Sequence, residues 1–105
     1  MLRISSKSRE VAEFIRDRKP FRTHGALFAD TIGENGTGRL PYYPGNLTAT
    51  DDRLRWDTDK SSIDYIVFSY ATPIAWHTTD GRWHKVSQKF SMTTSHHQGR
   101  LYLIP

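Results

Sequence analysis

The chain has 105 residues and a mass of 12.2 kDa, room for one small domain with a single core. It carries 15 basic against 11 acidic residues, a formal charge of +4, and only 36% of it is hydrophobic, yet it holds three Trp, five Tyr and five Phe. These figures exclude a transmembrane protein, a disordered tail and a large two-domain enzyme, and the lack of cysteine excludes disulfides, zinc–thiolate sites and cysteine nucleophiles. Much of the core must therefore come from a few large, flat side chains. Met1-Leu2-Arg3-Ile4-Ser5 lacks the apolar run of a secretory signal, so a cytosolic protein with no membrane association is expected. The charge is uneven: residues 1–22 hold seven basic and three acidic side chains, residues 23–64 four and seven, and residues 65–105 four and one. An acidic middle lies between two basic ends.

In chain order, Ser8 is placed to cap a helix over about residues 9–19. Val11, Phe14, Ile15 and Arg18 follow the i, i+3, i+4, i+7 spacing of one face, and Pro20 stops the helix. Residues 21–62 are expected to be irregular with short strands. Phe21-Arg22-Thr23-His24 and Ala26-Leu27-Phe28-Ala29 are two extended pieces separated by Gly25. Gly33-Glu34-Asn35-Gly36-Thr37-Gly38 is a turn rather than a phosphate loop, because no Lys-Ser/Thr pair follows. Pro41-Tyr42-Tyr43-Pro44-Gly45-Asn46 continues irregularly. Asp51, Asp52, Asp57, Asp59 and Asp64 lie along a polar connection that lacks the central glycine and final glutamate of a calcium loop.

Ile63-Asp64-Tyr65-Ile66-Val67-Phe68-Ser69-Tyr70 is the pattern of a central strand covered on both sides. Tyr65 and Val67 face one way; Ile66, Phe68 and Tyr70 face the other. Pro73 requires a bulge, an edge or a corner. Residues 74–79 and 82–86 then form a hairpin about Asp80-Gly81. A two-residue loop, the favoured register, puts Trp76 and Trp83 on one face and His77 opposite His84 on the other. A three-residue loop with a bulge at Gly81 instead pairs Trp76 with His84 and His77 with Trp83. Ser95 is placed to cap a last helix over about residues 96–103, with Gln98 completing a capping box and His97, Leu101 and Ile104 on its inner face. The fold expected is a single α+β domain over residues 1–105. It has a curved antiparallel sheet of about four or five strands, with the N-terminal helix and a short C-terminal helix packed on it.

Three segments carry a resemblance: Phe68-Ser69-Tyr70-Ala71-Thr72-Pro73-Ile74-Ala75-Trp76, then Asp80-Gly81-x-Trp83, then Lys89-Phe90-Ser91-x-Thr93-Thr94-Ser95-x-His97-Gln98. Together they resemble a family of small proteins encoded by tailed bacteriophages of actinobacteria, mycobacteriophages especially. The resemblance implies a compact domain expressed in the cytoplasm of a bacterial host. It carries over no catalytic residue and no mechanism.

The reactive side chains are five histidines, His24, His77, His84, His96 and His97. A cross-strand His77–His84 pair, with His97 or an aspartate as a third group, is the arrangement that a metal site or a His-dependent phosphodiesterase or nuclease would need. No HExxH or other compact ligand motif accompanies it, so no catalytic residue, metal or cofactor is assigned, and surface imidazoles are the plain reading. Ser69-Tyr70-x-Thr72-Pro73-x-x-Trp76 reads as architecture at a strand bend, and Thr93-Thr94-Ser95 as a cap. Arg16, Arg18, Lys19, Arg82, Trp83, Lys85 and Lys89 are the candidates for a nucleic-acid surface on which rings stack and cations meet phosphate. The leading expectation is a non-enzymatic phage accessory protein that binds a host or phage protein through an exposed aromatic or apolar patch, homodimerisation included. A nucleic-acid-binding module is the alternative, and the phosphodiesterase follows.

Overall fold

The computed structural model describes residues 3–7, 9–33, 36, 38–41 and 44–105. The expected Ser8 cap, three residues of the glycine-rich turn (Glu34, Asn35 and Thr37) and the two tyrosines Tyr42 and Tyr43 lie outside the described residues. Within them, six strands pair in sequence order: β1 (Arg3–Ile4), β2 (Phe21–Thr23), β3 (Leu27–Thr31), β4 (Ile63–Ser69), β5 (Thr72–Thr78) and β6 (Trp83–Lys85). Every neighbouring pair is antiparallel except β1 and β2, which run parallel because α1 (Arg9–Arg16) carries the chain back between them. Two further helices, α2 (Thr50–Asp59) and α3 (Met92–Gln98), each run into a short 3-10 turn, Lys60–Ser62 and Gly99–Leu101. The α+β class and the largely antiparallel sheet are as expected; the sheet is wider than four or five strands.

Helix α1 ends earlier than Pro20 requires. Lys19 N–H donates to Phe14 O and Arg18 N–H to Ile15 O, the paired bonds of a Schellman turn, with Arg18 at φ 54° where glycine is usual. Its apolar stripe, Val11 and Ile15, packs with Leu27, Ala29, Tyr65 and Val67 on one face of the sheet, joined there by Leu101 and Ile104. The other face buries Leu47, Trp56, Ile63, Ile66, Phe68, Trp76 and Val86. Strand β4 is thus covered on both sides by the two alternating sets read from its sequence, save Tyr70, which lies beyond the strand end and is exposed.

Helix α2 occupies what the sequence suggested was an irregular polar connection. Its buried side is Asp52, Trp56 and Asp59, a helical i, i+4, i+7 stripe made of two carboxylates and one indole. Asp59 accepts the Trp76 indole N–H at 3.0 Å, and Trp56 meets Trp76 edge-on with ring centroids 5.3 Å apart. The helix docks through hydrogen bonds and aromatic contact rather than an aliphatic stripe.

The β5–β6 hairpin adopts the three-residue loop, not the favoured two-residue one. Thr78 N–H donates to Arg82 O, Gly81 N–H donates to Thr78 O, and Gly81 sits at φ 89° as the bulge residue. The register pairs Trp76 with His84 and His77 with Trp83. Side chains alternate across a strand, so His77 and His84 lie on opposite faces, as do Trp76 and Trp83. Of the bulge, edge or corner that Pro73 requires, the structure has a bulge: the β4–β5 register shifts between Val67 and Phe68, where Pro73 faces Phe68. Helix α3 starts at Met92, and its cap lies four residues before the expected Ser95. Ser91 is its N-cap, its hydroxyl accepting Thr94 N–H, and Gln98 forms no capping box; its amide donates to Val86 O and Gln88 O.

Candidate functional site

Residues of the first and third resemblance segments meet at one end of the sheet. The β4–β5 connection is the two-residue turn Tyr70-Ala71, flanked by the paired Ser69 and Thr72. The Ser69 hydroxyl lies 2.7 Å from His97 Nδ1 and 3.0 Å from Thr94 Oγ1, tying the end of β4 to α3. Thr72 Oγ1 accepts Asn46 N–H, and Gly45 passes so close that a Cβ there would lie 2.5 Å from Thr72 Oγ1. Gln88 holds the same loop from the other side, its amide oxygen accepting Thr48 N–H and Ala49 N–H at 2.7 Å each. A cleft of about 330 Å³ opens among Asn46, Tyr70, Thr72, Phe90, Ser91 and Thr94.

Tyr70 stands out in this frame. Its φ of 58° lies in the left-handed region, a conformation that costs an ordinary residue ~1–2 kcal/mol, yet its side chain is 58% exposed. Only its backbone is tied down, N–H donating to Ala26 O at 2.9 Å. Met92, beside the cleft-lining Ser91, is 78% exposed. Sequence alternation had assigned Tyr70 to the covered face; no composition signal marks a tyrosine forced outward by a turn.

The Ser69–His97 distance is that of a nucleophile and its base, but Ser69 is 1% exposed and its hydroxyl is engaged by Thr94 as well. The pair is a buried latch between side chains; Ser69 meets Thr94 and His97 rather than backbone groups, and Ser91, not Thr93-Thr94-Ser95, supplies the cap. Burial, followed by the nearby Arg100 and His96, lowers the His97 pKa, which favours the neutral ring.

The other weak catalytic candidates are separated by the hairpin register. His77 is buried; its Nδ1 is 2.8 Å from Asp64 Oδ1, and its Nε2 is 2.9 Å from Arg18 Nη1. Since Arg18 can only donate, Nε2 is the acceptor and the ring proton belongs on Nδ1, facing Asp64. His84 Nε2 lies 2.9 Å from Asp52, and its ring packs 4.8 Å from Trp76 on the opposite face. The paired imidazoles that phosphodiester cleavage would have needed are not formed. Among the described residues, no group of three or more His, Asp or Glu side chains is arranged to hold a metal ion.

The nucleic-acid candidates are dispersed and mostly engaged. Arg16 pairs with Asp17, Arg82 with Asp80 and Asp59, Arg18 with His77, and Lys85 donates to Ile104 O. Trp83 is half-buried against Tyr65 and His77. Lys19 and Lys89 are exposed, on different elements. No helix among the described residues is long and apolar enough to cross a membrane.

The model of a family of unknown function (DUF8033) matches residues 29–103. The chain belongs to that family. The match runs from within β3 past the last 3-10 turn and so includes the whole Tyr70 cleft, while β1, α1 and β2 lie outside it. Comparison with curated proteins and with solved structures gave no match.

Proposed function

We propose that this DUF8033 member is a small actinobacteriophage accessory protein that works in the host cytoplasm, binding a host or phage protein without catalysis through the face around Tyr70. The phage origin and host setting rest on the three resemblance segments. The binding reading rests on one observation: a tyrosine occupies a left-handed turn position and turns its ring to solvent. Local folding energy favours glycine or asparagine at such a position. Strain of this kind gathers at functional sites, and tyrosine is a preferred anchor of protein interfaces. Phe90 and Met92 extend the surface from α3's side of the cleft.

The test compares wild-type protein with Tyr70→Asn, which suits the turn and deletes the ring. Both are used as bait in lysate from infected and uninfected mycobacterial cells. The expected result is one stoichiometric protein retained by wild type and lost with Tyr70→Asn, the variant remaining folded by circular dichroism. Equal retention by both baits, or no retention by wild type, overturns the proposal. A wild type that self-associates at micromolar concentration through Tyr70 would make a second copy the partner and overturn the heterologous assignment.

A further inference from the structure

We propose that the cleft between the β1–α1 connection and α3 is a phosphate-binding site, distinct from the Tyr70 face. Its volume is about 530 Å³, within the range of small-molecule sites, and it is lined by Ser6 and Lys7 on one wall and by Thr93, Ser95, His96 and Arg100 on the other. The two walls are more than eighty residues apart in sequence. The fold joins them by pairing β1 beside β2 and by the Arg100 Nε–H bond to Ser6 O at 2.9 Å.

The chemistry of the lining is one-sided. Among the described residues it contains a lysine, an arginine, two histidines and three hydroxyl residues, and no carboxylate. Six cations elsewhere, Arg16, Arg22, Arg53, Arg55, Lys60 and Arg82, each lie within 4.0 Å of an aspartate. Among the described residues no ion pair includes Lys7 or Arg100. The bond to Ser6 uses one of the five guanidinium N–H donors of Arg100, so the arginine is anchored while four donors stay available. Anchored arginine beside lysine and hydroxyl donors is the arrangement that recognises phosphate oxygens. His97 senses the same field: burial is the main cause of its lowered pKa, and Arg100 and His96 add to it. A bound dianion would oppose that field and raise the His97 pKa.

The phosphate could belong to a small phosphate compound or to a nucleic-acid backbone, and two probes separate these sources. The ring signals of His97 in the full-length protein are followed by NMR against pH, in chloride buffer, with inorganic phosphate, and with a single-stranded DNA oligonucleotide. At least one probe is expected to raise its pKa saturably, by about 0.5 unit or more. Lys7 is exposed, so Lys7→Glu should fold normally and abolish the rise, whereas Tyr70→Asn should preserve it. A response to inorganic phosphate assigns the site to small phosphate compounds. A response to the oligonucleotide alone, weakening steeply with salt, assigns it to nucleic acid. No response to either probe, or the same response in Lys7→Glu, overturns the proposal.

Discussion

Asp52 joins α2 to the segment after β6, and removing its carboxylate gives the sharpest test of how the fold is held. The residue is 1% exposed. Its two oxygens accept Gln88 N–H at 2.9 Å, Ser87 N–H at 3.2 Å and the Ser87 hydroxyl at 3.3 Å, and His84 Nε2 lies 2.9 Å away. In Asp52→Ala these donors lose their acceptor at once. Ser87 and Gln88 are near enough to solvent for water to recover part of the loss, so each amide costs ~1 kcal/mol, the low end for an unsatisfied donor. The lost imidazole contact and the cavity left by the side chain bring the total to ~3–4 kcal/mol. Asp52→Asn keeps one acceptor oxygen and the side-chain volume, and should cost ~1–2 kcal/mol. Asp57→Ala is the control: that residue is exposed, and its ion pairs at 3.6 and 4.0 Å are worth less than ~0.5 kcal/mol. Urea unfolding followed by tryptophan fluorescence supplies the three values. If Asp52→Ala loses no more than Asp57→Ala, or if Asn is as damaging as Ala, the carboxylate does not dock α2.

Gly45→Ala should destabilise by ~2–4 kcal/mol in the same assay, since it combines φ 59° with a methyl 2.5 Å from Thr72 Oγ1 and 2.8 Å from Ala71 O; a loss below ~1 kcal/mol would show that the 44–46 loop is free to move away. Tyr70→Asn should stay within ~1 kcal/mol of wild type, because relief of the turn strain offsets the contacts of a mostly exposed ring; a loss above ~2 kcal/mol would make the ring a structural anchor and remove the basis of the binding proposal. His97 has a lowered native pKa, so as the pH falls below ~6.5 the unfolded chain takes up a proton that the native one resists. Wild-type stability should therefore decline from pH 7 towards pH 5 more steeply than that of His97→Gln, and parallel profiles would show that His97 is not the group responsible.

The sequence exposed those elements whose burial is apolar. Strand β4 could be read residue by residue because Tyr65 and Val67, then Ile66 and Phe68, fill two hydrophobic layers at period two. Helix α1 was visible through Val11 and Ile15, though its end was not, since Arg18 takes the place of the glycine that normally announces a Schellman turn. Helix α2 has no such signature. Its inward positions are Asp52, Trp56 and Asp59, and a scale that ranks carboxylates as outward-facing sees a polar connection there. The hairpin register was ambiguous for a related reason, as Asp80-Gly81 suits both loop lengths. What selects the longer loop is tertiary. It turns His84 to the face of Asp52 and Trp83 to the face of Tyr65, two matches between segments distant in sequence.

The same burial of aspartate changes what the charge pattern means for function. Residues 23–64 contain seven acidic side chains, the apparent counterweight to the basic ends. Three of them are buried: Asp30, Asp52 and Asp59. Asp30 lies 2.9 Å from Arg22, Asp52 takes up the Ser87 and Gln88 amides, and Asp59 holds the Trp76 indole. That negative charge is taken up within the fold by hydrogen-bond donors and by Arg22, Arg55 and Arg82, so among the described residues none of the three lies in an ion pair with Lys7 or Arg100. The basic ends meanwhile meet: Ser6 and Lys7 from one and His96 and Arg100 from the other line the same cleft with no carboxylate among them. A chain of modest net charge can therefore carry a locally cationic site. Such a site is invisible in the sum of charges, because the buried aspartates counted against it are engaged by other groups elsewhere in the fold.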